Sequence, residues 1–360
     1  MSAIDAEDAA KLRAAQLRAM PVTRMLDYGM DHWDAVHLSQ APIQRAWHDV
    51  AAELGDAQLA RARDAAERGD AETAVACYRR AAAALYFAQL AFNADGDHKR
   101  ALYARVTSAY QAAADLDAEL RVERLSVPVR SGACAAWLVR PRTDGPHPTV
   151  VIVGGQSGWG PAYHRQAEAF ARRGLATVLL ETPGQGESRM TGGLFLDARV
   201  DEAFSATLDA VRERTGYDGA FGVWGNSFGG LLAARAAVHD DRFGACCVNG
   251  AIATPVPLPY RAAREQTHAM LGVSRDEDAA RILRTLWLDP DSDRMAASLL
   301  VVHGGADPLV TLDQQRAFLP LSSDSALRVW DDGEHTIYNH SAERTDVVCD
   351  WFRSRLGGAQ

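Results

Sequence analysis

Ala220-Phe221-Gly222-Val223-Trp224-Gly225-Asn226-Ser227-Phe228-Gly229 is an apolar run that ends on a serine with a glycine two places to either side, and the Ala/Leu-rich stretch Gly230 to Val238 follows it. The run reads as a buried strand, the stretch behind it as a helix, and Ser227 as the corner between them. Small residues on both sides let the chain reverse with strained backbone angles. The hydroxyl then projects from the sheet edge and faces the helix N-terminus. A serine hydroxyl barely ionises at neutral pH, so a nucleophile of this kind needs a base to take its proton and an acid to orient that base.

Both partners lie downstream. Leu299-Leu300-Val301-Val302-His303 is a short strand that breaks at Gly304-Gly305 and delivers Asp307 on a loop just past its end. Ala326-Leu327-Arg328-Val329-Trp330 is another, and its exit loop Asp331-Asp332-Gly333-Glu334 leads to His335. If these strands run parallel to the one before Ser227, all three side chains leave the sheet at the same carboxyl edge. Asp289, Asp291 and Asp293 follow no strand as cleanly, His340 reads as the start of the last helix, and His303 as a buried residue near its strand end. Asp307-Pro308 is also a common turn pair, and a turn serine is the bland alternative for Ser227.

A tetrahedral oxyanion formed on the serine needs donors. The amide of Phe228, next to the nucleophile, is one. The loop Gly154-Gly155-Gln156-Ser157-Gly158-Trp159-Gly160, after the strand Thr149 to Val153, supplies the other from Gln156, with Ser157 second in line. Trp159, beside that loop, is the aromatic expected to line a pocket for substrate, with Ser157 and Tyr28 as further substrate-binding candidates.

The chain has 360 residues, a formal charge of -9 and 24% charged residues. This acidic balance, with no clustered basic face, argues against nucleic acid as a partner. Cys77, Cys134, Cys246, Cys247 and Cys349 have no zinc spacing and read as reduced thiols, and no metal site or cofactor is expected. Met1 to Lys11 is acidic without an apolar signal core, and no run of 18 apolar residues occurs. A cytoplasmic protein off the membrane is therefore expected, with a small-molecule substrate as partner and a homodimer as an option.

Residues 1–120 read as helices only, near 4–18, 42–54, 57–68, 71–93 and 98–116, with breaks at Pro21, Pro42, Gly55, Gly69 and Asn93-Ala94-Asp95-Gly96. From residue 121 the pattern turns to β. A hairpin around Ser131-Gly132 comes first, then strands near 149–153, 175–180 and 244–248 alternate with helices near 161–173 and 197–214, giving a mostly parallel sheet flanked by helices. Residues 252–297, with Pro255-Val256-Pro257-Leu258-Pro259 and two helices, read as an insertion over the sheet's carboxyl edge. The catalytic domain is expected over 121–360, closing with a helix near 341–355.

Taken with the elbow, the stretches Gly154-Gly155-Gln156-Ser157, Glu181-Thr182-Pro183-Gly184-Gln185-Gly186-Glu187-Ser188, Gly304-Gly305-Ala306-Asp307 and Asp332-Gly333-Glu334-His335 resemble an α/β-hydrolase. With the helical front, they resemble the branch around 2,6-dihydroxypseudooxynicotine hydrolase and the fermentation-respiration switch protein. Pro-Gly-Gln-Gly-Glu is the most branch-specific stretch, and Glu181-Thr182 departs from the Asp-Gly of that pattern. The resemblance implies that residues 1–120 form a cap over the active site. It implies a Ser-His-Asp serine hydrolase, acting on an ester or on a carbon-carbon bond next to a ketone, such as a β-diketone or an acyl-phenol-like polyketide or aromatic catabolite. Two alternatives stand beside it: an acyltransferase or cyclase using the same three residues, and a non-catalytic binding protein on the same fold.

Overall fold

The computed structural model describes residues 3–357; Met1 and Ser2 of the acidic start, and Gly358 to Gln360 at the end of the expected catalytic domain, lie outside the described residues. The chain divides into two compact units, Met1–Ala118 and Glu119–Gln360.

The first unit is helical: α1 (Ala3–Ala19), α2 (Val22–Asp27), α3 (His32–Ser39), α4 (Trp47–Glu67), α5 (Ala71–Gln89) and α6 (Asp97–Leu116). Helices α2 and α3 stand in a stretch for which no helix was expected. The expected break at Gly55 is wrong, because α4 runs through it without interruption. A Cβ on Gly55 would come within 2.8 Å of Leu85 Cγ on α5, so the residue is there for close helix packing. That close approach, with Ala81 O 3.5 Å from the same point, offsets the cost of about 1 kcal/mol that glycine carries in a helix interior. The Trp47 indole N–H donates to Phe87 O at 3.1 Å and ties the start of α4 to the end of α5.

The second unit is built on one eight-stranded sheet. Its strands are β1 (Leu120–Val129), β2 (Gly132–Pro141), β3 (Thr149–Val153), β4 (Ala176–Leu180), β5 (Phe221–Asn226), β6 (Phe243–Asn249), β7 (Ser298–Gly304) and β8 (Ser325–Trp330). The spatial order is β1-β2-β4-β3-β5-β6-β7-β8. β1 and β2 form the expected hairpin, β2 pairs antiparallel with β4, and every pairing from β4 to β8 is parallel. β3, β4 and β5 are buried along their whole length, which is why they read as unbroken apolar runs.

Helices α7 (His164–Ala171), α8 (Gly186–Met190), α9 (Val200–Thr215), α10 (Phe228–His239), α11 (Arg261–Leu271), α12 (Asp276–Arg284), α13 (Leu312–Arg316) and α14 (Ser341–Leu356) complete this unit. The helix expected near 161–173 begins as a 3-10 turn, Gly160–Tyr163, because its backbone first has to leave the loop behind β3. Residues 252–297 supply α11 and α12, the two helices expected there. One continuous core joins Val151, Val178, Val223, Val248 and Val301 of the sheet to Phe204 and Leu208 of α9 and to Leu231 and Leu232 of α10. No helix among the described residues is long and apolar enough to cross a membrane.

Candidate active site

Ser227 stands between β5 and α10 with φ 55° and ψ -131°, a conformation that a non-glycine residue holds only where its surroundings impose it. The imposition is visible in the packing. A Cβ on Gly225 would lie 2.0 Å from Gly229 O, and one on Gly229 would lie 2.3 Å from Gly154 O, so only glycines allow this reversal against the end of β3. The Ser227 amide donates to Asn249 O at 2.7 Å, and Ser227 O accepts from Gly230 N at 2.8 Å. Phe228 then begins α10, with its N–H among the unpaired donors of the first turn and at the positive end of the helix dipole.

Ser227, His335 and Asp307 lie in one hydrogen-bonded row. His335 Nε2 is 2.9 Å from Ser227 Oγ, and His335 Nδ1 is 2.7 Å from Asp307 Oδ2. The other carboxylate oxygen of Asp307 accepts from Leu309 N at 2.7 Å and Val310 N at 3.1 Å, which leaves the carboxylate no freedom to turn away. The loops that carry the two residues are laced together: Gly305 N donates to Trp330 O at 2.7 Å and Ala306 N to Gly333 O at 2.9 Å. A neutral imidazole with Nδ1–H on Asp307 leaves Nε2 to accept the serine proton.

His303 on β7 is buried behind this row. Burial holds its imidazolium below the ordinary histidine range, Asp307 pulls the other way, and His335 adds to the lowering. His340 pairs on the surface with Asp332 at 2.8 Å. The thiols are poor competitors for the role of nucleophile. Burial pushes Cys134 and Cys349 up to about 12 and raises Cys246 and Cys247 as well. No group of histidine, cysteine, aspartate or glutamate side chains among the described residues could hold a metal ion.

The loop after β3 passes directly over the serine. Its shape is set by Gln185, to which the sequence alone assigns no role, and by Trp159, which it places at a pocket wall. Gln185, buried in the Pro-Gly-Gln-Gly stretch, donates through Nε2 to Gly154 O at 2.5 Å and Gly155 O at 3.0 Å, while its Oε1 accepts from Thr182 N at 3.1 Å. The Trp159 indole N–H adds a second donor to Gly155 O at 3.2 Å. In a trans peptide the N–H points opposite to the C=O, so fixing the Gly155 carbonyl also fixes the Gln156 amide. The Gln156 side chain is anchored on Thr267 Oγ1 at 2.9 Å, which ties the loop to α11 of the insertion.

Trp159, expected at a pocket wall, is buried and carries the Arg189 guanidinium 5.0 Å from its ring centroid. Ser157 stays on the loop, half-buried. Tyr28 belongs to the helical unit, where it lies edge-on to Tyr86 at 5.8 Å and tilted on Phe87 at 5.8 Å, with Arg24 5.0 Å from its ring centroid.

His335 is followed by a second strained site. Thr336 (φ 54°) and Ile337 (φ 64°) both occupy the left-handed region. β-Branched residues avoid it, at a cost of about 1–3 kcal/mol each. Thr336 O accepts from Asn249 Nδ2 at 3.1 Å and from the buried Arg344 Nη1 at 2.9 Å. Nothing in the local sequence signals this turn, since glycine or asparagine is the usual mark of such angles.

Strand order, elbow and parallel edge define the class: the protein has the α/β-hydrolase fold. Residues 148–270 match the family model described as alpha/beta hydrolase fold. Within that class the chain is similar to 2,6-dihydropseudooxynicotine hydrolase of Paenarthrobacter nicotinovorans, 26% identical over 350 residues that cover 91% of this chain and 90% of the relative. The crystal structure of the 2,6-dihydroxy-pseudo-oxynicotine hydrolase aligns with a TM-score of 0.83 at 24% identity, covering 93% of this chain and 95% of that one. Wild-type AbyA5 aligns with a TM-score of 0.66 at 19% identity over 96% of this chain and 99% of its own.

Proposed function

We propose that the protein is a serine hydrolase in which Ser227 attacks a substrate carbonyl, His335 serves as general base and acid, and Asp307 orients His335. The observation that carries this reading is the row of contacts at 2.9 Å and 2.7 Å that joins the three side chains. His335 Nε2 takes the Ser227 Oγ proton as the oxygen bonds to the carbonyl carbon, and the carbonyl oxygen becomes an oxyanion held by the amides of Phe228 and Gln156. The bond to the leaving group breaks as His335 returns that proton to it. Water, deprotonated by His335, then releases the acid and restores Ser227.

The leaving group is an alkoxide or a stabilised carbanion. A carbanion departs only where a carbonyl or a phenol-like ring delocalises its charge. The substrates that fit are therefore esters, β-diketones and acyl-phenol-like compounds. The likeness to 2,6-dihydropseudooxynicotine hydrolase over most of both chains favours a ketone-adjacent carbon-carbon bond in an aromatic or polyketide-like compound. The division of the chain into Met1–Ala118 and Glu119–Gln360 supports taking the first as a helical domain of its own and the second, which carries Ser227, Asp307 and His335, as the catalytic domain.

A fluorophosphonate probe with mass-spectrometric mapping tests the nucleophile: one adduct on Ser227 is expected, and an unlabelled protein would remove the enzyme reading. Turnover of p-nitrophenyl acetate beside panels of β-diketones and acyl phenols then decides the bond. A product acylated on a second nucleophile in place of free acid would make the protein an acyltransferase.

A further inference from the structure

One buried residue is bonded both to the elbow that carries Ser227 and to the turn that follows His335 without belonging to the proposed catalytic pair. Asn249 ends β6, beside Asn226 in the parallel register with β5 and Val302 in the register with β7. It is fully buried. Its backbone carbonyl accepts the Ser227 amide at 2.7 Å. Its Nδ2 donates to Asn226 Oδ1 at 2.8 Å, on the residue before the nucleophile. The same Nδ2 donates to Thr336 O at 3.1 Å, on the residue after the base.

The orientation of this amide is forced by chemistry. A backbone carbonyl can only accept, so nitrogen and not oxygen of Asn249 faces Thr336, and Asn226 must then present its oxygen. The position has a geometric reason. His335 leaves β8, three strand spacings from β5, and strands are about 4.8 Å apart, so its loop must reach back roughly 14 Å across β7 and β6. β6 lies under that path, and Asn249 is the residue at its end. The turn it holds is the one whose backbone angles, at Thr336 and Ile337, are unfavourable on their own.

We infer that Asn249 is a positioning residue that sets the Ser227–His335 separation by bonding the nucleophile elbow and the strained histidine turn through one amide nitrogen. The inference rests on the serine hydrolase reading above. Arg344, the second donor to Thr336 O, holds the same turn from α14.

The test uses the full chain carrying Asn249→Ala and, should that variant fail to fold, Asn249→Asp, which keeps the shape and loses the paired donor. The expected result with p-nitrophenyl acetate is a kcat lower by on the order of 10²-fold with KM within about threefold, and an equal loss in the rate of fluorophosphonate labelling. A second readout separates positioning from general loosening. In a His335→Ala background the same substitution is expected to change the residual labelling rate by less than about threefold, because residues that act through one another are not additive. A folded Asn249 variant with kcat within threefold of the parent, or an undiminished loss in the His335→Ala background, would overturn the inference. An unlabelled parent protein would instead sink the hydrolase reading itself.

Discussion

Gly155 lies so close to Ser227 that a Cβ on it would stand 2.8 Å from the serine Cβ and 3.1 Å from Oγ. The loop after β3 is thus in van der Waals contact with the nucleophile candidate. Gly155→Ala would have to push the loop or the serine aside, and either movement separates Oγ from the Gln156 amide. The expected outcome is a folded protein with kcat on p-nitrophenyl acetate reduced by about 10²-fold or more, the scale of losing one oxyanion donor. A variant with parental kcat would mean that the loop takes no part in turnover.

Ser227→Ala removes one oxygen whose contact is the His335 ring, and leaves the elbow glycines in place. Turnover should fall by about 10⁴-fold or more, and fluorophosphonate labelling should vanish. The thermal midpoint should stay within a few degrees of the parent. A large drop in that midpoint would assign the hydroxyl a structural role.

Gln185→Leu keeps the bulk of the side chain but deprives Gly154 O and Thr182 N of partners in a buried place, leaving Gly155 O with Trp159 alone. Each of the two unpaired buried groups costs about 1–3 kcal/mol, so a loss of roughly 2–6 kcal/mol in unfolding free energy is expected. With the Gly155–Gln156 peptide free to turn, kcat should fall by about 10- to 100-fold beyond what stability explains. Denaturant titration and steady-state kinetics measure the two effects separately. Intact kinetics in a destabilised variant would confine Gln185 to folding.

His303 gives the stability curve a sign. Burial lowers its proton affinity in the folded state, so below the ordinary histidine value, about 6.5, the unfolded chain binds a proton that the folded chain refuses. Protein stability should therefore rise with pH up to about 6.5 and owe nothing further to this group above it. The thermal midpoint followed from pH 5 to 8 should climb less steeply in His303→Asn than in the parent. Parallel curves would show that His303 does not carry the slope.

Much of the architecture could be read from residues one at a time. β3, β4 and β5 are buried along their whole length and mostly apolar because helices cover both faces of a parallel sheet, and that makes them legible. Ser227, Asp307 and His335 each follow a strand, and a strand's exit is a local feature. Gly55 misled for the opposite reason: glycine breaks an isolated helix, but here the neighbouring α5 rewards its missing side chain. The first turn of the helix behind β3 was likewise altered by the loop it departs from. Gln185 was noticed as part of a conspicuous stretch, yet its partners Gly154 and Gly155 lie about thirty residues away, and no spacing rule connects them.

Sequence alone determined which segments become strands, that a glycine-flanked serine stands where one of them turns into a helix, and that an aspartate and a histidine follow later strands. Those are consequences of side-chain polarity and backbone permissiveness within a few residues. Tertiary structure decided the rest: the strand order that makes β5, β7 and β8 share an edge, the 2.9 Å between Ser227 and His335, and the left-handed Thr336 and Ile337 that bring the ring there. The physical reason is that unfavourable local angles persist only when contacts from distant strands and helices, here Asn249 and Arg344 on one carbonyl, outweigh them.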